Sequence, residues 1–415
     1  MLLNYIKIAW KVLLRHPFYT FITLFGISVT LTVLMVITSF MDHLLGSHYP
    51  ENKRYRSLYV TMLTQTDSSR NSRSQGPPSF RFINTYVKTL QTPERVGISS
   101  QFSFANAYVN GKRIKLNTKY TDADFWRVTD FEFLEGKPFS EPQIKGGDRV
   151  AVITDKLRKE YFEDDGKSTV GRDIEIEGLR YRVMGVVKGS PVTRLYTYAD
   201  VYFPYTAPKS NYEKGQMRGN FVGIILAKTP ADRQAIQSEF DQVIGRLPAS
   251  GEESSFHYSQ FVVKADTYIN QFLTPFFGTD DSKKVFFYSI VGVIVLMFMS
   301  LPAINLVNVN VSRILERASE IGVRKAFGAP ARTLLWQFII ENIFITFLGG
   351  VLALIFSYGI IQLINQSGWI AYADLTINVT VFLVSMGVCL VFGLLSGVLP
   401  AFRMSKLNIV DALKS

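Results

Sequence analysis

Cysteine is almost absent from this 415-residue chain. Cys389 is the only one, so neither a disulfide framework nor a cysteine-rich metal site can exist. Histidine is scarce too: His16, His43, His48 and His257 show no H-x-x-x-H spacing of the kind that binds zinc. Charged residues make up only 19% of the sequence, below the usual quarter for a soluble protein. What is abundant is apolar: 47% hydrophobic residues, 32 Phe and 20 Tyr, which excludes disorder as the dominant state. The net charge of +11 would raise nucleic acid as a partner, were the charge not so unevenly placed. Four long stretches at the two ends of the chain carry almost none of it.

Pro17–Met41, Val285–Ser312 and Leu375–Phe402 contain no charged residue, and between Thr333 and Ala373 the only ionisable carboxylate is Glu341. A helix needs roughly 20 apolar residues to cross a bilayer, so all four stretches are long enough. The basic segments fall on one side of a four-span topology. Lys7, Lys11 and Arg15 precede the first span. Arg313, Arg317, Arg324, Lys325 and Arg332 lie between the second and third, and Arg403, Lys406 and Lys414 follow the fourth. By the positive-inside rule both termini are cytoplasmic and residues 43–284 lie outside.

The expected organisation is an amphipathic interfacial helix (1–16), a first span (17–42) and an extracytoplasmic domain (43–284). A second span (285–312), a cytoplasmic connecting segment (313–331), a third span (332–365), a short outside turn (366–377), a fourth span (378–402) and a cytoplasmic tail (403–415) follow. The first span reads as an uncleaved anchor, because no small-residue cleavage site follows it. In the leader, Asn4, Lys7, Lys11 and Arg15 take one helix face and Leu3, Ile6, Trp10, Leu13 and Leu14 the other, which suits a membrane surface.

The outside domain, with 34 basic and 28 acidic residues, has an ordinary mixed surface and no nucleic-acid signature. Its first part reads as a strand (57–64), a polar loop (65–78), a helix (79–90) and a strand (95–109). Its last part reads as a strand (220–227), a helix (230–247) and a strand (257–263), so both parts are α+β. The stretch 111–205 is richer in short strands (149–154, 173–177, 181–187, 200–204), with a helix at 155–162. It is expected to be a β-rich insertion, with Thr193–Thr197 a flexible loop.

Catalytic chemistry is hard to find. Gly166-Lys167-Ser168 imitates the end of a phosphate-binding loop, but Tyr161 stands where the pattern needs glycine. No other nucleotide-binding loop occurs, so the chain is not expected to be an enzyme by itself or to bind a cofactor or metal directly. Asp122/Asp124 and Glu163/Asp164/Asp165 are acidic groups that in loops are ordinarily solvated surface. An intramembrane carboxylate such as Glu341 is either functional or paired, and Arg332 is within reach as a structural partner. Pro302, with Asn305, Asn308 and Asn310, offers a kink and interhelical hydrogen bonds, or ordinary helix packing. Between the second and third spans a charged helix halts at Gly328-Ala329-Pro330, a shape suited either to simple connection or to receiving motion from a cytoplasmic partner.

That segment, Glu320-Ile321-Gly322-Val323-Arg324-Lys325-Ala326-Phe327-Gly328-Ala329, resembles the E-I-G-x-x-[RK]-[AS]-x-G-A signature of FtsX/MacB-like ABC transporter permeases. Glu341 matches the family's glutamate early in the next span. Pro400-Ala401 through Ala412-Leu413 resembles its ending, departing at Ile409, where proline is usual. In the outside domain, Gly136-Lys137-Pro138-Phe139, Val150–Ile153, Val170-Gly171-Arg172 and Tyr181–Val187 are similar in order and spacing to the MacB periplasmic domain.

The resemblance implies four transmembrane helices and a split strand–helix–strand, porter-like subdomain carrying the inserted β-rich one. It implies a bacterial inner-membrane permease that pairs with a second permease subunit, an identical copy or a diverged sibling. Glu320, Ile321, Gly322, Arg324, Lys325 and Gly328 would couple it to a cytoplasmic ABC ATPase on a separate polypeptide, which binds the ATP. A periplasmic membrane-fusion protein or a hydrolase would be further partners, alongside membrane lipid. The implied role is mechanotransmission for export or extraction; the alternative is FtsX-like signalling to a cell-wall hydrolase.

Overall fold

The computed structural model describes all residues except 1–6, 8, 9, 12, 16, 110, 163–166, 208–211, 215, 249–250, 254–255, 279–281, 283, 295, 298–299, 301–303, 305–330, 370, 371, 373 and 407–415. The chain divides into two compact units, one built from His43–Val285 and the other from the segments flanking it.

In the flanking unit, the described residues include α1 (Pro17–Leu45) and, much later, two further long helices. Among the described residues two helical stretches are long and apolar enough to cross a membrane, Thr20–Leu45 and Ile339–Ser367. Lys284–Ile294 and Val379–Val391 are shorter apolar helical stretches. The helices Ala331–Ser367 and Val379–Lys406 pack on one another and on α1, around Ile27, Leu31, Ala353 and Cys389. Thr32 donates to the Ala353 carbonyl at 3.3 Å and Ser39 to that of Thr376 at 2.6 Å. Gly349 permits the close approach, since a Cβ there would lie 2.7 Å from Ile27 Cγ2. Small residues at such contacts are how helices associate in lipid, where hydrophobic burial offers no drive. Gly349→Leu is therefore expected to cost about 1–3 kcal/mol through overpacking. Gly359, which faces open space, should accept leucine without loss. Thermal aggregation midpoints of the two variants in detergent check this; equal midpoints would refute it.

Among the described residues the central unit is built on fifteen strands. They are β1 (Ser57–Val60), β2 (Leu63–Asp67), β3 (Ser72–Gly76), β4 (Arg95–Ser100), β5 (Ser103–Val109), β6 (Lys112–Thr121), β7 (Phe133–Gly136) and β8 (Val150–Thr154). Then come β9 (Asp173–Ile176), β10 (Leu179–Val187), β11 (Val201–Pro204), β12 (Phe221–Leu226), β13 (Gly251–Glu253), β14 (Phe256–Tyr258) and β15 (Gln260–Val263). Among the described residues three helices of eight residues or more accompany them: α2 (Asp155–Phe162), α3 (Arg233–Gly245) and α4 (Tyr268–Phe277).

One sheet runs β1-β12-β4-β6-β11-β8-β10-β9-β5. Because β5 also pairs with β6 along its length and meets β9 at Ala107–Ile176, six of these strands close into a ring. Its interior is filled by Leu116, Ile153, Ile174, Val183, Val186, Val201 and Phe203. The strands β1, β8, β11 and β12 (Ser57–Val60, Val150–Thr154, Val201–Pro204, Phe221–Leu226) are buried at every position. Both their faces are covered, which is why they read as unbroken apolar runs instead of alternating ones. By contrast β9 alternates exposed and buried residues, as a strand with one solvated face should.

Several local expectations change. The polar stretch 65–78 is not a loop: β2 and β3 form a hairpin turning at Asn71 (φ 46°), and β15 completes a three-stranded sheet. Its side chains are too polar to reveal a strand by hydrophobic alternation; backbone pairing holds it. The helix expected over 79–90 is only a turn at Phe80–Phe82 followed by a π-helical turn, Ile83–Val87. Asp122 is not solvated surface. It is buried, accepts from the amides of Ile98 (3.0 Å) and Phe125 (2.8 Å), and pairs with Lys88 at 2.6 Å. It staples β4 to the Phe125–Val128 turn at the place where Gly97 lets the backbones touch.

Candidate functional site

The groups singled out between the second and third spans, Glu320 to Gly328, lie outside the described residues, as does Pro302. Glu341 is described and buried, at 3% exposure, beside the equally buried Asn342. Among the described residues no group of three or more His, Cys, Asp or Glu could hold a metal.

The central unit instead presents a charged cluster that patterns in the sequence did not single out. Just past the end of α1, a turn from His48 to Arg54 is held by the Glu51 amide on the His48 carbonyl and the Arg54 amide on the Glu51 carbonyl. This turn brings Glu51 and Arg54, three residues apart, onto the same side. Arg54 donates through Nε (2.9 Å) and Nη2 (2.6 Å) to Glu51 Oε2, and both side chains are only 3% exposed. Its third nitrogen, Nη1, donates to the Leu44 carbonyl at 2.8 Å, and its guanidinium lies 3.6 Å over the Tyr268 ring.

A second arginine comes from far along the chain. The stretch Thr193–Thr197, expected to be a flexible loop, is part of a structured turn: the Arg194 amide donates to the Pro191 carbonyl and the Thr197 amide to that of Arg194. Arg194 is fully buried, and its Nη1 donates to the Gly46 carbonyl at 2.7 Å. Thr197 donates to Glu51 Oε1 at 2.8 Å. Tyr59, Tyr196 and Tyr268 enclose the cluster with ring centroids 5.4–5.6 Å apart.

Two cations thus face one carboxylate out of water. Burial alone would raise the Glu51 carboxyl; the charges of Arg54 and Arg194, with hydrogen bonds from Thr197 and Arg54, more than reverse this and hold it below the usual range. For Arg194 burial dominates, followed by repulsion from Arg54, and together they depress it to about 10. Its Nε and Nη2 have no hydrogen-bond partner among the described residues, so it is the less compensated of the two arginines. A nearby third cation, Lys119, is fully buried with Nζ on the Ser100 carbonyl at 2.8 Å. Burial lowers it to about 7, against a smaller opposing pull from Glu51.

Chemically the cluster offers no nucleophile, no metal seat and no open face. The last carbonyls of a helix have no partners within the helix and carry its negative dipole end, and here two arginines satisfy two carbonyls at that end. Glu51 holds Arg54 directly and, through Thr197, the turn that carries Arg194. The signal in the sequence was faint: an E-x-x-R pair after a span, and one arginine inside the aromatic stretch Leu195–Tyr198.

Comparison with known proteins shows the family. Residues 20–269 match the model of the MacB-like periplasmic core domain, and residues 292–409 that of the FtsX-like permease C-terminal domain. The uncharacterized ABC transporter permease YknZ of Bacillus subtilis is 22% identical, over all of this chain and 99% of its own length. YvrN of the same organism, also an uncharacterized ABC transporter permease, is 23% identical over the full length of both. The macrolide export ATP-binding/permease protein MacB of Acinetobacter baylyi is 25% identical over 96% of this chain, which spans 57% of that longer protein. Among solved structures, the periplasmic region of MacB from Actinobacillus actinomycetemcomitans overlays 54% of the chain and 96% of its own, with a TM-score of 0.37 and 16% identity.

Proposed function

We propose that this chain, which belongs to the MacB- and FtsX-like family of ABC transporter permeases, is the mechanotransmitting permease subunit of an exporter. In this reading a cytoplasmic ABC ATPase on a separate polypeptide hydrolyses ATP, and the permease converts its closure into movement of the periplasmic domain, exporting or extracting substrate. Four spans, cytoplasmic termini and the boundaries given above belong to the same proposal, as does pairing with a second permease subunit.

The observation that carries it is the grip of Arg54 and Arg194 on the carbonyls of Leu44 and Gly46. A domain that carries displacement must be stiff where its chain begins, and a buried, multiply bonded charge cluster within the His43–Val285 unit is stiff.

The test is purification in mild detergent, with mass spectrometry of bound proteins, of wild type and Arg324→Glu/Lys325→Glu. Wild type is expected to retain an ABC ATPase that the double variant loses. A co-purifying membrane-fusion protein supports export, and a hydrolase would shift the reading to transmembrane signalling. Failure of both proteins to retain any ATPase would refute the coupling.

A further inference from the structure

We propose that a cavity in the periplasmic domain is a binding site for a neutral, apolar group, a ring or a short alkyl chain. The inference rests on the transmission role above and deepens it, by naming the chemistry of what the domain takes hold of. The cavity has a volume of about 230 Å³ and is walled by four separate stretches of chain. Met62 comes from the link between β1 and β2, Phe102 from the link between β4 and β5, Leu195 and Tyr196 from the arginine-bearing turn, and Phe272 and Phe276 from α4.

Three features fix the class of ligand. No carboxylate, amine, guanidinium or imidazole lines the cavity, so no charged side chain there would compensate a buried ligand charge. Two of its polar residues are already engaged with protein: Thr61 donates to Gln271 Oε1 at 2.6 Å, and Gln271 Nε2 donates to the Lys264 carbonyl at 2.7 Å. What remains is mostly aromatic and aliphatic surface. Its size exceeds the cavity of about 150 Å³ that takes up benzene in an apolar protein interior. Phe102 (42% exposed) and Phe276 (72%) leave apolar surface open to solvent, where an entering group would first make contact.

The cavity also shares a wall with the charge cluster. Tyr196 packs against Tyr59 and Tyr268, the rings that enclose Arg54, and Leu195–Tyr196 lie between Arg194 and Thr197 in the chain. A ligand seated against Tyr196 therefore presses on the residues that hold Gly46 and Glu51.

The experiment uses the full chain in detergent and the neutral photoprobe 3-trifluoromethyl-3-phenyldiazirine, with labelled peptides located by mass spectrometry. Saturable labelling is expected on the peptides carrying Met62, Leu195 and Phe272, competed by excess toluene. Leu195→Trp, which fills the cavity, and Met62→Trp from the opposite wall should each reduce it about tenfold, the equivalent of 1.4 kcal/mol of affinity. Labelling confined to the membrane spans would overturn the proposal, as would cavity labelling that toluene does not compete. Protection that appears only when the ATPase or another partner is bound would reassign the cavity as the seat of a partner's side chain, and would overturn it equally. Because wild-type competition needs no variant, a misfolded substitution leaves the test intact. The outcome is also independent of ATPase co-purification, so failure here and failure of the transmission reading are told apart.

Discussion

Glu51→Ala is expected to lower the stability of the periplasmic domain by about 3–5 kcal/mol, because it strands two buried arginines without their counter-charge. For a domain of this size that corresponds to a fall of roughly 6–20 °C in melting temperature. Trp126, buried among Phe131, Phe133, Phe139 and Tyr202, reports on this domain by fluorescence. The Glu51 carboxyl is depressed in the folded protein, so its contribution is complete above the unfolded carboxyl range and is lost as pH falls through the folded value. Glu51→Gln should accordingly flatten the acid side of the stability profile.

A stability loss alone would not distinguish a joint from an ordinary buried ion pair. Replacing Glu51, Arg54 and Arg194 together by Leu, Met and Leu discriminates, since removing a whole buried network is often neutral in energy. The triple variant is expected to melt close to wild type. In complex with its ATPase it should nevertheless lose any ATP-dependent change in hydrogen exchange of the periplasmic domain. A triple variant that melts normally and still responds to ATP would remove the cluster from the mechanism.

Lys119→Met is expected to stabilise the domain, by on the order of a few kcal/mol near pH 7. The folded amine sits at about 7 instead of 10.5 because burial disfavours its charge. Between these values the unfolded chain holds more protons than the folded one, so wild-type stability rises with pH from about 7 to 10.5. The full penalty is present below about 7. Methionine removes the titrating group and keeps the apolar stem, at the cost of the hydrogen bond to the Ser100 carbonyl. Melting temperatures across this range should climb in wild type and stay level in the variant. A variant that is less stable and retains the slope would show that Lys119 carries no such penalty.

Composition and the spacing of charge by themselves determined that this chain meets a membrane, because a long run without charge has few other uses. They also placed the large domain between Pro17–Met41 and Val285–Ser312, and the Glu320–Ala329 signature with the periplasmic motifs located the family. Strands such as Val150–Thr154 and Phe221–Leu226 were legible because burial on both faces demands continuous apolar residues. Strands Leu63–Asp67 and Ser72–Gly76 were not, because polar side chains are neutral to backbone pairing that neighbouring strands supply. Only the tertiary structure decided the buried charge cluster. Arg194 is 140 residues from Arg54 along the chain, and no local pattern states that both will be taken out of water and turned on one glutamate. A charged residue reads as surface until the fold encloses it. The same holds for Lys119, for Asp122 and for the cavity under Tyr196: each is made by elements that meet only after the sheet has formed.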